Sequence, residues 1–240
     1  MSEGSTTKLT ISAASSMSES LMEVKEKYEA ENPHIEIYYN FGGTGSLRRQ
    51  IEQGAPVDLF FIASRRDYQS MIDDDLLSDT DSLFGNRMVA IQRAESSYQS
   101  LEALFQSTGR IAIATPGAAP AGTYAQQALE TLGAWNRLSS TDRFVYAKDA
   151  RHVGHLVQKG AVEAGIIYQS DSVTMENIQV IEMIDANLHQ TIEYYIGIVT
   201  DSETEAAQDF YEFVFEEEIM KVFEKYGFVV ENESGKLGEQ

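Results

Sequence analysis

Gly42, Gly43 and Gly45 surround Thr44 in the stretch 41–64, FGGTGSLRRQIEQGAPVDLFFIAS, and Ser46 follows. Glycines let a backbone turn sharply or come close to a ligand. A hydroxyl beside the unpaired N–H groups of a helix start suits a small anion. A nucleotide phosphate loop would need G-x-x-x-x-G-K-[ST], and GGTGSLRR has no lysine at that place. No G-x-G-x-x-G follows a strand either. The chemistry on offer is an oxyanion held by neutral dipoles rather than by a counter-charge.

Three further junctions collect small or hydroxylated residues: Ala14-Ser15-Ser16, Pro120-Ala121-Gly122-Thr123 and Asp149-Ala150-Arg151. In open α/β sheets ligands bind at the carboxyl ends of the strands, and several helix N-termini converging there would supply N–H donors and favourable dipole ends. Each junction alone has a plainer explanation. Ser16 and Glu19 fit the spacing of a capping box, and Asp149 reads as a helix cap. Tyr168 ends GIIYQSD, where its phenol could reach the same ligand; the plainer alternative is a surface tyrosine, one of 12.

Other chemistries find little support. His152 and His155 lie three apart on a predicted helix, but no third metal ligand is spaced to join them. Neither H-E-x-x-H nor G-x-S-x-G occurs. The acidic pairs Asp73–Asp75 and Glu216–Glu218 sit in polar surroundings and read as solvated faces.

The elements that must position these residues alternate. A buried strand at 9–13 leads to a helix at 18–31, with Leu21, Val24 and Tyr28 at helical spacing and Asn32-Pro33 as its stop. A strand at 34–39, a helix at 46–53 and a near-continuous apolar strand at 57–63 follow, a pattern of parallel α/β sheet. Further on, a helical patch is expected at 68–77, strands at 88–91, 110–114, 164–168, 178–184 and 191–200, and helices at 123–132, 150–159 and 204–226.

The chain has 240 residues, enough for two lobes, and 42% are hydrophobic, ample for a core. Its net charge of −20 argues against nucleic acid, which calls for a basic footprint, and against an anionic membrane surface. Cysteine is absent, so disulfides and thiolate chemistry are excluded. No apolar run approaches the length of about 18 residues that a membrane helix needs. The start MSEGSTTK is polar and has no signal-peptide core, which fits either a cytosolic protein or one whose export signal is absent from this sequence.

ISAASSM, NFGGTGSLRRQIEQGAPVDLFFIAS, GRIAIATPGAAPAGTYAQQALETLGAW, KDAR, AGIIYQSD and FYEFVFEEEIMKVFEKYGF occur in this order over residues 8–229. Together they make the chain resemble the molybdate-binding proteins of molybdate ABC transporters, type II periplasmic solute-binding proteins. The resemblance implies an α/β fold of two lobes with the ligand cleft between them and two hinge crossovers. It divides the chain into lobe 1 (8–83 and 197–230) and lobe 2 (84–196), with disordered ends at 1–7 and 231–240. It implies one molybdate or tungstate oxyanion held by the Ser16 and Thr44 hydroxyls, the Ala121 and Ala150 N–H groups and the Tyr168 phenol, with no cofactor and no cation. It also implies a monomer outside the cytoplasm, in the periplasm or anchored at the cell surface, that serves an ABC permease.

Two positions depart from the family pattern. Thr44 stands where relatives often have Ser. Glu193-Tyr194-Tyr195-Ile196 stands where they often have Tyr-Pro at the return crossover. The donor-only site agrees with the residue reading: molybdate, tungstate and sulfate are fully deprotonated at neutral pH, whereas phosphate keeps a proton and favours a carboxylate acceptor. The alternatives are an oxyanion-sensing effector domain of the same fold, or a hydrolase using Ser16 or Ser46 with His152 or His155.

Overall fold

The structure, a computed structural model, describes residues 6–230. The chain begins with β1 (Thr7–Ala14), a turn of 3-10 helix at Ser15–Met17, and α1 (Ser18–Glu31). Then come β2 (Ile35–Gly42), α2 (Thr44–Glu52), β3 (Leu59–Ile62), α3 (Arg65–Asp73) and β4 (Leu77–Asn86). The middle of the chain forms β5 (Met88–Arg93), α4 (Leu101–Gln106), β6 (Ile111–Ala114), α5 (Pro120–Thr131), α6 (Trp135–Ser140), β7 (Phe144–Ala147), α7 (Ala150–Gln158), β8 (Ala164–Tyr168), α8 (Gln169–Val173) and β9 (Ile178–Met183). The last elements are β10 (Ile192–Val199), α9 (Glu205–Val214) and α10 (Glu217–Lys225).

These elements form two compact units. One runs through Gly85 and resumes at Ile192; the other is Asn86–Thr191. The division expected after residues 83 and 196 thus lies after 85 and 191, and residues 192–196 are the first five residues of β10. Of the ends expected to be disordered, 1–5 and 231–240 lie outside the described residues, and Thr7 already belongs to β1.

The first unit holds a sheet of order β2-β1-β3-β10-β4. β1 runs parallel to β2 and β3, and β10 is antiparallel to β3. All four residues of β3 are buried, as its unbroken apolar run requires of a central strand. Leu21, Val24 and Tyr28 are buried along α1. The Tyr28 ring meets Phe210 and Phe213 of α9 edge-on, each with centroids 4.9 Å away.

The second unit holds a sheet of order β7-β6-β8-β5-β9. β6 is parallel to both β7 and β8, while β5 is antiparallel to β8 and β9. The buried residues of α7 are Ala150, Val153, Gly154 and Val157, and the last three form its inward stripe.

Several expectations need correction. The helical patch stops at Asp73, and Leu77 opens β4 instead. The helix expected over 204–226 is two helices, broken at Phe215-Glu216. Leu132, the last residue of the helix expected over 123–132, lies beyond the end of α5 and is 44% exposed. The short elements α4, α6, β7 and α8 have no counterpart among the expected ones.

Candidate functional site

In the first unit, parallel pairing brings three strand ends level. Ala14 of β1 stands opposite Gly42 of β2, and Ala13 opposite Phe61 of β3. The junctions after these strands therefore share one edge of the sheet. Ser16, half-buried, lies in the turn after β1. Neither this turn nor α1 has a side-chain cap, and the N-cap of α1 is Met17. The capping box expected from Ser16 and Glu19 is thus not formed. The Ser16 Oγ instead accepts a hydrogen bond from Tyr194 Oη at 3.3 Å. Tyr194 is 1% exposed and is packed by Phe84 and Phe228, with ring centroids at 5.3 and 5.2 Å.

Thr44 opens α2. The Ser46 and Leu47 N–H groups both donate to the Gly43 carbonyl, at 2.9 and 3.1 Å. The N–H groups of Thr44 and Gly45 are left without an acceptor among the described residues, as the first turn of a helix requires. Thr44 Oγ1 accepts from the Ala63 N–H at 3.3 Å, which ties this junction to the end of β3. Leu47 and Ile51, both buried, hold α2 against the sheet. Gly42, Gly43 and Gly45 do not take the left-handed conformation their type allows, and a Cβ on Gly43 would meet nothing within 4 Å. A Cβ on Gly42 would press on Leu47 at 3.2 Å, and one on Gly45 would stand 3.6 Å from Asp67 Oδ1. The Asp67 carboxylate lies 3.1 Å from the Arg48 guanidinium.

The second unit repeats the arrangement. Ala114 of β6 stands opposite Ala147 of β7, and Ala112 opposite Gly165 of β8, so these three carboxyl ends are also level. α5 begins at Pro120, which has no N–H, and the Gly122 and Thr123 N–H groups both donate to the Ala119 carbonyl. The Ala121 N–H is left without an acceptor among the described residues, in a residue only 3% exposed. A Cβ on Gly122 would stand 2.2 Å from the Ala114 carbonyl oxygen, so only glycine lets α5 start this close to β6.

Asp149 caps α7. Its Oδ1 accepts from the His152 N–H at 2.7 Å, and its carbonyl from the Val153 N–H at 3.2 Å. The Ala150 N–H again has no acceptor among the described residues. Tyr168 is the last residue of β8, paired with Met88 of β5. Its ring faces Tyr124 of α5, edge to face with centroids 6.5 Å apart.

The structure thus gathers Ser16 and Thr44 at one sheet edge of the first unit, and Ala121, Ala150 and Tyr168 at the corresponding edge of the second. What these residues present is hydrogen-bond donors. Tyr194 is the addition that sequence reading did not supply, since its contact with Ser16 spans 178 residues. Its only signal was its position in the crossover segment Glu193-Tyr194-Tyr195-Ile196. Of the residues weighed for a hydrolase, Ser16 meets Tyr194, and His155 Nδ1 lies 2.9 Å from Gln158 Oε1. Among the described residues no group of three or more His, Asp or Glu side chains is placed to hold a metal ion, and no helix is long and apolar enough to cross a membrane.

Known proteins share this chain's pattern over nearly its whole length. The family described as bacterial extracellular solute-binding protein matches residues 9–229. YvgL of Bacillus subtilis, provisionally named an ABC transporter substrate-binding lipoprotein, is 39% identical over 228 residues, covering 93% of this chain and 86% of that protein. The molybdate-binding protein ModA of Haemophilus influenzae is 30% identical over 231 residues, covering 92% and 89%. Among solved structures, the substrate-binding domain of a provisionally assigned molybdenum ABC transporter of Clostridium difficile superposes with a TM-score of 0.85 at 34% identity, covering 94% of this chain and 100% of that one.

Proposed function

The chain belongs to the bacterial extracellular solute-binding proteins, and from that premise we propose that it captures a tetrahedral oxyanion, molybdate or tungstate, and delivers it to the permease of an ABC importer. The donors in this reading are the Ser16 and Thr44 hydroxyls, the Thr44, Ala121 and Ala150 N–H groups, and the Tyr168 phenol. One observation carries it: the level strand ends offer donors, while their carboxylates are engaged elsewhere, Asp149 with the His152 N–H and Asp67 with Arg48.

A desolvated dianion needs every oxygen bonded. Hydrogen bonds to an ion contribute about 1.5–3 kcal/mol each. Several of them, less the ordering cost of binding, suffice for a submicromolar complex, about −8 kcal/mol. A site without a free acceptor favours ions that carry no proton at neutral pH, which sets molybdate, tungstate and sulfate apart from phosphate. The molybdate named for the Haemophilus influenzae relative and the molybdenum named for the Clostridium difficile structure favour the larger ions among these.

Thermal unfolding in the presence of each ion tests the reading. At a molybdate concentration 100 times Kd, the folded state should gain about 2.7 kcal/mol, with a similar gain for tungstate and little for phosphate. No shift with either molybdate or tungstate would sink it.

A further inference from the structure

Ser16 differs from the other proposed donors in what holds it. The N–H groups of Thr44, Ala121 and Ala150 are fixed by the helices in whose first turns they lie. A serine hydroxyl is free to turn among three wells unless something selects one. The usual device, a hydrogen bond to a helix N-terminus, is missing here, because neither the turn Ser15–Met17 nor α1 uses a side-chain cap. The partner the Ser16 hydroxyl does have is Tyr194, three residues into β10.

Tyr194 is well placed to hold it. Its ring is buried between Phe84 and Phe228, and the residues after it are locked to β3 by the pairs Tyr195↔Ile62 and Ile196↔Phe61. A phenol fixed in this way donates into one lone pair of Ser16 Oγ. The serine proton then has to point elsewhere, and donation into the oxygen makes that proton a stronger donor.

We infer that Tyr194 is a positioning residue for the oxyanion: its phenol orients and polarises the Ser16 hydroxyl that donates to the ion. The inference rests on the proposed reading of Ser16 as an oxyanion donor. It also gives the segment after the second crossover, which begins at Ile192, a direct hold on a ligand group.

Calorimetric titration of sodium molybdate into four proteins tests it: wild type, Tyr194→Phe, Ser16→Ala and the double variant. Phenylalanine keeps the ring that Phe84 and Phe228 grip, so the fold is retained. Tyr194→Phe should weaken binding by about three- to tenfold, the loss expected when one rotamer of three is no longer selected and the polarisation is gone. In the Ser16→Ala background the same change should cost nothing further, since the tyrosine acts through the serine; a merely structural role would cost the same in both backgrounds. Unchanged affinity in Tyr194→Phe, or an equal loss with and without Ser16, overturns the inference while the functional reading stands. Absence of binding by wild type overturns both.

Discussion

Ser16 and Thr44 each accept a hydrogen bond from the protein, Ser16 from Tyr194 and Thr44 from the Ala63 N–H. A hydroxyl oxygen so engaged keeps its own proton to donate. On the proposed reading Tyr168 donates its phenol from the last position of a strand anchored to Met88, so its loss should be felt in binding more than in folding. Tyr168→Phe should weaken molybdate binding by about 1.5–3 kcal/mol, ten- to hundredfold, with the melting temperature of the unliganded protein little changed; equal calorimetric affinities would remove Tyr168 from the site. Away from the site, burial raises the Asp58 carboxyl above the ordinary carboxylate range, while its bond from the Thr10 N–H at 2.7 Å opposes part of that shift. The folded chain therefore keeps this proton to higher pH than the unfolded one. The stability the group contributes is complete below its unfolded pKa and is lost as pH rises through its folded pKa. Asp58→Asn keeps an oxygen for Thr10 and removes the charge. Its melting temperature relative to wild type should climb as the pH is raised from about 4 to about 7, and a flat difference would show that Asp58 carries no such shift. The hydroxyls and the glycine turn were visible in the sequence because local spacing marks them. Tyr194 was not, because no local pattern announces a partner at the opposite end of the chain.

At the scale of the element, the start of α5 is set by a single missing methyl. Gly122→Ala would bring a carbon to 2.2 Å from the Ala114 carbonyl oxygen, and the neighbours are backbone rather than a yielding side chain. The helix must then move off the end of β6, at a cost of about 1–3 kcal/mol, and the Ala121 N–H moves with it. Chemical denaturation should show the lost stability, and titration with molybdate a weaker complex; a variant with wild-type stability would mean that the helix start has slack. Elements with a clean local signal were legible: α1 from Leu21, Val24 and Tyr28, β3 from its unbroken apolar run, and α7 from Val153 and Val157. β4 was not, because LSDTDSLFGN exposes most of its first six residues and lacks the alternation of a half-buried strand. The break between α9 and α10 was hidden for the opposite reason. Apolar spacing continues across Phe215-Glu216, so period alone cannot show that the backbone stops there. β7, at four residues, is too short for any period to register.

For the whole molecule, the net charge of −20 sets the terms on which the proposed oxyanion would arrive. The diffuse field repels it, yet exposed charges are screened over about 8 Å at physiological salt, and close-range donors then decide the outcome. Stopped-flow association of molybdate should accordingly speed up as salt is added, the reverse of a steered encounter; a rate that falls with salt would point to a local positive field at the entrance. The order of the two sheets bears on a different matter. β10 lies between β3 and β4, so the first 85 residues cannot complete their sheet until chain beyond residue 192 is available. The middle segment is continuous and has all five of its strands before that point. On a chain made or threaded from its N-terminus, the second unit can therefore finish first, leaving the opening strands as the exposed, aggregation-prone part that a chaperone would have most reason to shield.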